Sequence, residues 1–364
     1  MNNTNGFGSP VRTYKKPKRQ DPLRTVAVLV MTAIIIAFVV VLIMSLTGTG
    51  MFADKKGGDD PKVDPPSSSE TEGSGEGTGE GTGEGTSDMG GSSEDPNTVK
   101  YTSIDKTAND LHYGLLQLIN EEHLYKFKEE ALLESMYENR PLSKSYQLSK
   151  STHTLKHAAL VALNEMMDDF YTATQYKYMN VNKAYYDFDS QKNLFDQGLT
   201  DTSPGASDWH SGATFRFNGY NPETKKSVNI SLATEPKWVK EHAHEYGFIF
   251  RAPTHKKSIV GYEEPWQLRY VGIPHAEYMN KNDLCLEEYL DKLSTDYKYG
   301  ASHLIIESLD GNTYEIYYVS APSEGTLKLP VPENRPYTVS GDNVGGFIVT
   351  VTVEEGEGTV TPEA

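Results

Sequence analysis

Three strings in the middle of the chain hold the side chains best suited to chemistry: SPGASDWHSGATF, KWVKEHAHEYGFIFRAP and GYEEPWQLRYVGIPHA. Between them they carry Asp208, His210, His242, His244, Glu264 and His275, residue types that ligate metals or move protons. Each also has a plainer reading. His242 and His244 suit a short helix with partly exposed imidazoles, and His275 suits a structural hydrogen bond. Cys285, the single cysteine, lies in LCLEEYL, which reads as an amphipathic helix with a small buried apolar residue. One cysteine excludes an internal disulfide, and a domain of this size needs none if its core is adequate.

The elements that must hold these strings begin near residue 100, where tyrosine and phenylalanine become frequent. Leu111, Leu115, Leu118 and Ile119 predict a helix over Lys106–Asn120, capped by Asn109 or Ser103. His153–Gln175 predicts a longer helix with Leu155, Ala159, Ala162, Leu163, Met166, Met167 and Phe170 on one side. Its methionines read as core. Short strand-like runs follow: ATFRFNGY, SVNISLA, YGFIFRAP and LRYVGI. Lys237–His244 and Leu284–Tyr297 read as short helices. The rest is strand: HLIIESL, a hairpin turn at Asp310-Gly311, TYEIYYVS, TLKLPVP, YTVSGDN and GFIVTVTVEE. Helices first and mostly antiparallel strands later predict an α+β domain.

Ahead of that domain nothing can build a core. Thr25–Leu46 is an uncharged apolar run of 22 residues. That length suits a transmembrane helix, which needs about 20 residues, better than a cleaved signal peptide, whose apolar region is roughly 7–15. Arg12, Lys15, Lys16, Lys18, Arg19 and Arg24 precede the run, against Lys55 and Lys56 beside acids after it. Positive residues stay inside, so residues 1–24 are expected in the cytoplasm and the domain outside. Residues 47–99 carry GEGT repeats among Ser, Pro and acids, which predicts a disordered acidic linker. The domain is assigned to 100–355 and a flexible tail to 356–364. A net charge of −17 argues against nucleic acid as a partner. The expected partner of residues 25–46 is the lipid bilayer.

The order of the three strings resembles the VanY-type D-alanyl-D-alanine carboxypeptidases, zinc enzymes that trim peptidoglycan stem peptides. The resemblance spans roughly residues 110–353, and EPWQLRYVG is its most specific element. It implies a D,D-peptidase-like fold with N-terminal helices, a central antiparallel sheet and a C-terminal β-rich extension. In the family, Ser-x-His-x-x-Gly-x-Ala-x-Asp supplies a histidine and an aspartate to zinc. Glu-x-Trp-His supplies the third ligand and the general base. Such a zinc needs three protein ligands and an open position for water.

Laid on this chain, the resemblance gives no metal ligands. Anchored on Ser207 and Gly212, the histidine position holds Trp209 and the aspartate position Arg216. Glu264, at the base position, is followed by Pro265 and Trp266, but the last histidine position holds Gln267. An indole and a guanidinium do not ligate zinc, a carboxamide does so poorly, and Arg216 brings a permanent positive charge. The family's Tyr-Arg-Ser run corresponds to AYYDFDSQ, where Tyr185 and Gln191 match and the arginine that grips the substrate carboxylate becomes Tyr186. No metal and no cofactor are therefore expected.

Arg216 is expected to fill the metal position and to pair with Glu264 or Asp208. Glu264 then reads as a structural carboxylate rather than a base. Ser207, Asp208, His210, Tyr186, Gln191, Trp266 and Arg269 are candidate cleft residues, and Trp209 and Phe215 are aromatic candidates beside them. The function expected is a catalytically degenerate, membrane-anchored domain of a Gram-positive bacterium. It would bind or scaffold peptidoglycan stem peptides or cell-wall proteins. One alternative is an active metallo-D,D-carboxypeptidase with a metal site rebuilt from His210, His242, His244 or His275. The other is a purely structural ectodomain.

Overall fold

A computed structural model describes residues 99–126, 133–141, 143 and 145–354. The tail over 1–24, the apolar run over 25–46, nearly all of the linker and the C-terminal tail lie outside the described residues. Among the described residues no helix is long and apolar enough to cross a membrane.

The first half runs β1 (Tyr101–Thr107), β2 (Leu133–Ser135), β3 (Gln147–Leu148), β4 (Thr154–Lys156), α1 (His157–Thr174), β5 (Met179–Lys183) and α2 (Phe188–Asp196). Next come β6 (Thr214–Asn221), β7 (Lys226–Val228), α3 (Lys237–His242), β8 (Phe248–Ala252), α4 (Lys257–Val260) and β9 (Glu264–Tyr270). Then follow α5 (Ile273–Lys281), α6 (Leu286–Asp296), β10 (Leu304–Glu307), β11 (Thr313–Ser320), β12 (Thr326–Pro332), β13 (Tyr337–Gly341) and β14 (Gly346–Glu354). The fold is mixed α+β. Its central sheet has the order β3-β5-β6-β9-β8, with β7 also pairing β6. All its pairs are antiparallel except β3 with β5. A second antiparallel sheet has the order β10-β11-β14-β13.

The long helix forms where the apolar spacing puts it. Ala159, Leu160, Leu163, Met166, Met167 and Phe170 of α1 pack in one cluster with Met179, Val181, Phe215, Phe217, Phe248 and Leu268 of the central sheet. Each large side chain so buried contributes roughly 1.5–3 kcal/mol relative to exposure. Gln175, left-handed at φ 57°, ends the helix and donates its N–H to the Tyr171 carbonyl. Because strand side chains alternate, Phe215, Phe217, Trp266 and Leu268 face α1, while Thr214, Arg216, Gln267 and Arg269 face the other way. That second face carries the candidate site.

The start of the domain departs from expectation. It opens with a strand rather than a helix: β1 pairs along its length with β12. The leucine spacing over 106–120 yields only a short 3-10 turn at Ala108–His112. Gly114, at φ 115°, breaks any helical continuation. A side chain there would also collide with Ser340 of β13. Leu116 to Ile119 are then all buried as extended chain rather than as one stripe of a helix. Asn343 holds this segment down, its Nδ2 donating to the Leu118 carbonyl at 2.8 Å and to the His123 carbonyl at 3.0 Å. Helices α2 and α5 are further elements that the sequence reading leaves out.

Helix α5 carries a buried acid, Glu277, which accepts the Leu309 N–H at 3.0 Å from the turn after β10. Burial pushes its carboxyl up to about 7, assisted by the charges of Asp310 and Glu245 against the hydrogen bonds from Ser308 and Leu309. A carboxyl raised in the fold holds its proton longer there than in the unfolded chain. Its contribution is complete at low pH and is lost as pH rises from about 4.5 to about 7. Glu277→Gln is therefore expected to gain stability over the parent chain at pH 8 and to lose that advantage at pH 5, as urea unfolding at the two pH values would show.

Candidate functional site

The site is built on two charge networks of different depth. The deeper one centres on Asp208, in the 3-10 turn Asp208–Ser211 that leads into β6. Its Oδ1 accepts from Arg269 Nη1 at 2.6 Å and from Arg251 Nε at 3.3 Å. Its Oδ2 accepts from Thr214 Oγ1 at 2.6 Å. Arg251 reaches on to Glu287 of α6 with both terminal nitrogens, at 3.1 and 2.7 Å. Arg269 also donates to the carbonyls of Leu115 and Gln117. Both guanidinium groups are 0–1 % exposed. Burial opposes ionisation of Asp208, but Arg269, Arg251 and Thr214 overcome it and hold the carboxyl below its ordinary value. The two cations and two carboxylates balance.

The shallower network lies along three adjacent strands. Cross-strand register sets Lys183 of β5 against Arg216 of β6, and Arg216 against Gln267 of β9. Arg216 Nη1 donates to Glu264 Oε2 at 2.7 Å, so of its two candidate carboxylates the guanidinium takes Glu264. The β8–β9 ladder shifts register before Ala252 meets Glu264, where Pro265 offers no N–H. Glu264 reaches Arg216 from this irregular start. A second irregularity in β5 leaves Asn182 without a cross-strand partner, and its Oδ1 accepts from Arg216 Nε at 2.9 Å. Lys183 Nζ stands 5.6 Å from the centre of the Trp209 ring. Burial and the neighbouring Arg216 charge lower the ammonium's pKa, with Glu264 opposing them. Gln267 is buried, and neither atom of its carboxamide has a hydrogen-bond partner.

The other candidates are placed as follows. His210 is buried, with Nδ1 at 2.6 Å from the Tyr186 carbonyl, to which it donates, and Nε2 accepting from Gly205 N–H at 3.2 Å. Burial lowers its pKa. Ser207 is buried and its carbonyl accepts the His210 N–H. Gln191, buried in α2, donates to the Thr202 carbonyl at 2.9 Å. Trp266 lies on the α1 side of the sheet with Phe215, and its indole N–H donates to Ser231 Oγ. His242 bonds Glu245 at 2.7 Å. His275 bonds Tyr289 at 2.7 Å and Thr350 at 3.0 Å, and burial takes its pKa down to about 3. Among the described residues, no group of three or more His, Cys, Asp or Glu is arranged to hold a metal ion.

Sequence reasoning passed over Lys183, Asn182, Arg251 and Glu287. Arg251 stands in the quoted string FIFRAP, where a single arginine inside an apolar strand signals a buried partner. Lys183 carries no such signal, because its neighbours Arg216 and Trp209 come from β6 and from the turn ahead of it.

The depth of the two networks predicts opposite responses. Asp208→Asn leaves Arg251 and Arg269 buried with one carboxylate between them and is expected to cost about 3–5 kcal/mol. Glu264→Gln opens a pair whose side chains are 23 % and 29 % exposed and is expected to cost about 1 kcal/mol or less. Denaturant unfolding of the two variants checks the contrast.

Comparison with known proteins gives consistent relatives. A family model for VanY, D-alanyl-D-alanine carboxypeptidase, matches residues 152–273. A D-alanyl-D-alanine carboxypeptidase from Enterococcus faecium is 31% identical over 251 residues, covering 67% of this chain and 77% of the relative. The putative carboxypeptidase YodJ from Bacillus subtilis (strain 168) is 34% identical over 121 residues, 30% of this chain and 44% of the relative. Among solved structures, the vancomycin resistance D,D-dipeptidase VanXYg, in complex with a D-Ala-D-Ala phosphinate analog, has the same fold. The TM-score is 0.60 at 22% identity, covering 70% of this chain and 99% of that one.

Proposed function

From a chain that belongs to the VanY D-alanyl-D-alanine carboxypeptidase family, we propose a function of binding without cleavage: an extracytoplasmic domain that holds peptidoglycan stem peptides and has neither zinc nor peptidase activity. The observation that carries this reading is the Arg216–Glu264 ion pair at 2.7 Å. Arg216 stands at the position where the family resemblance expects an aspartate ligand, and Glu264 at that of the general base. A guanidinium bonded to the base supplies a positive charge where the metal would supply one, and it has no lone pair for a metal. Trp209 and Gln267 at the other two ligand positions add an indole and a carboxamide. These residues do not fit a zinc ion. Without a metal to acidify water, Glu264 has no activated nucleophile to deprotonate.

The deep Asp208 network supports retention of the fold under this change, since it draws on no residue of the ligand positions. The proposed setting is the outer face of the membrane of a Gram-positive bacterium, with residues 25–46 as anchor and 47–99 as tether. Tethering raises the local concentration of a weak binder near its target. Peptide partners are inferred from the family, whose Enterococcus faecium relative is named for D-alanyl-D-alanine. Cell-wall proteins are the other partner class that a scaffolding role would take.

Two measurements test the reading. Metal analysis of the purified protein is expected to find far less than one zinc per chain, and a stem pentapeptide is expected to release no D-alanine. Stoichiometric zinc with chelator-sensitive release would overturn it. Conversely, Trp209→His, Arg216→Asp and Gln267→His made together are expected to give a chain that retains zinc through dialysis.

A further inference from the structure

The shallow network is not neutral. Lys183 and Arg216 bring two positive charges, and Glu264 returns one negative. Arg216 spends Nε on Asn182 and Nη1 on Glu264, which leaves Nη2 without a hydrogen bond among the described residues. The Lys183 ammonium has no ion pair among the described residues; its contact is the face of Trp209. Beside them Gln267, 1% exposed, keeps both atoms of its carboxamide unpaired, although the Tyr262 phenol approaches it. Unpaired donors next to an uncompensated, partly buried cation are costly in a folded protein unless a ligand uses them.

We infer that Lys183, Arg216 and Gln267, walled by Trp209, form a binding site for a carboxylate. It rests on the stem-peptide reading above and names the end of the peptide that the site takes. The carboxylate is acceptor-only, and it would bridge the Lys183 ammonium and Arg216 Nη2 while the Gln267 amide donates. Glu264 stays on Nη1 and keeps the net charge of the filled site at zero. An inorganic cation is disfavoured by the same inventory, and an apolar group would leave every one of these donors unpaired.

The position of the site sets the length of the ligand. A catalytic metal faces the carbonyl under attack. The site here stands at the family's metal positions, so the group it receives is the carboxylate of a peptide ending at that carbonyl. The ligand is therefore a stem already shortened by one residue, the product of the reaction that active carboxypeptidases perform. A peptide carrying the extra D-alanine would present an amide carbonyl instead, which is neutral and gains much less from two cations.

Calorimetric titration of the full chain with diacetyl-L-Lys-D-Ala, with its C-terminal amide and with diacetyl-L-Lys-D-Ala-D-Ala tests this. The acid is expected to bind about tenfold or more tighter than its amide, and tighter than the longer peptide. Lys183→Gln is expected to bring the acid down to the level of the amide, and Lys183→Arg to keep most of the difference. Thermal unfolding of both variants is expected to stay within a few degrees of the parent, since the Lys183 side chain makes no hydrogen bond among the described residues and only the Trp209 face is lost. Equal binding of acid and amide overturns the carboxylate site and leaves the stem-peptide reading standing. Tighter binding of the longer peptide overturns the assigned length. Absence of binding by all three peptides overturns both the site and the reading on which it rests.

Discussion

A carboxylate sealed in a protein interior must be met by cations and donors, or it will not stay ionised. Asp208 is such a group, and side chains from β6, β8 and β9 converge to satisfy it. Its two arginines come from neighbouring strands, β8 and β9, and each is itself bound elsewhere. Arg251 ties in α6 through Glu287, and Arg269 ties in the chain around Leu115 and Gln117. Thr214 closes the remaining oxygen from β6. One anion thus fixes the turn ahead of β6, the start of β6, the strands β9 and β8 on one side of it and two outlying segments. Removing Asp208 or either arginine strands a charge in a place water cannot reach. The scaffold is held by electrostatics that involve no metal, which separates the stability of the fold from the chemistry of its cleft.

That separation lets residues of the cleft change without loss of the fold. Positions on the polar face of β6 and β9 alternate in role. Thr214 and Arg269 face each other across the ladder and serve the deep network, while Arg216 and Gln267, also opposite each other, serve the shallow one. Substitution at the second pair leaves the first untouched. The aromatic positions of the same strands point into the α1 core, where Phe215 packs edge-on against Phe217 and Phe248. Period-two alternation keeps the core apart from the polar face, and position along the strand separates the deep network from the cleft on that face.

The same alternation made much of the fold legible in the sequence. ATFRFNGY and YGFIFRAP read as strands because bulky apolar residues recur at every second position, and α1 read as a helix because Ala159, Leu163, Met166 and Phe170 recur at three or four. The 106–120 segment misled because its leucines also fit a helical period. Nothing local reveals that they are buried from several sides, against β-strands that lie more than two hundred residues away. Gly114, at φ 115°, is where the chain leaves the helical turn. In the site, the pairing of Arg216 with a carboxylate followed from its charge and from the position that the family resemblance gives it. The choice of Glu264 over Asp208 did not, because it depends on two other arginines having claimed Asp208. Lys183 was invisible for a related reason: its place beside Arg216 comes from strand register and from the irregularity at Asn182.

The residues at the three ligand positions also bear on how the proposed state holds together. Loss of a metal site by unselected change would leave small or mismatched groups. Here Trp209 presents its face to Lys183, Arg216 bonds Glu264 and Asn182, and the cations lie beside the one carboxylate that offsets them. These contacts depend on one another. With an aspartate at 216, Glu264 would face a like charge and lose its ion-pair partner, which is destabilising. With a histidine at 209, Lys183 would exchange an indole face for a weaker one. Each single step back toward a ligand is unfavourable until the others and a cation are present. If the proposed function holds, the cleft is a second stable electrostatic solution on the family fold, separated from a metal-binding one by intermediates that satisfy neither.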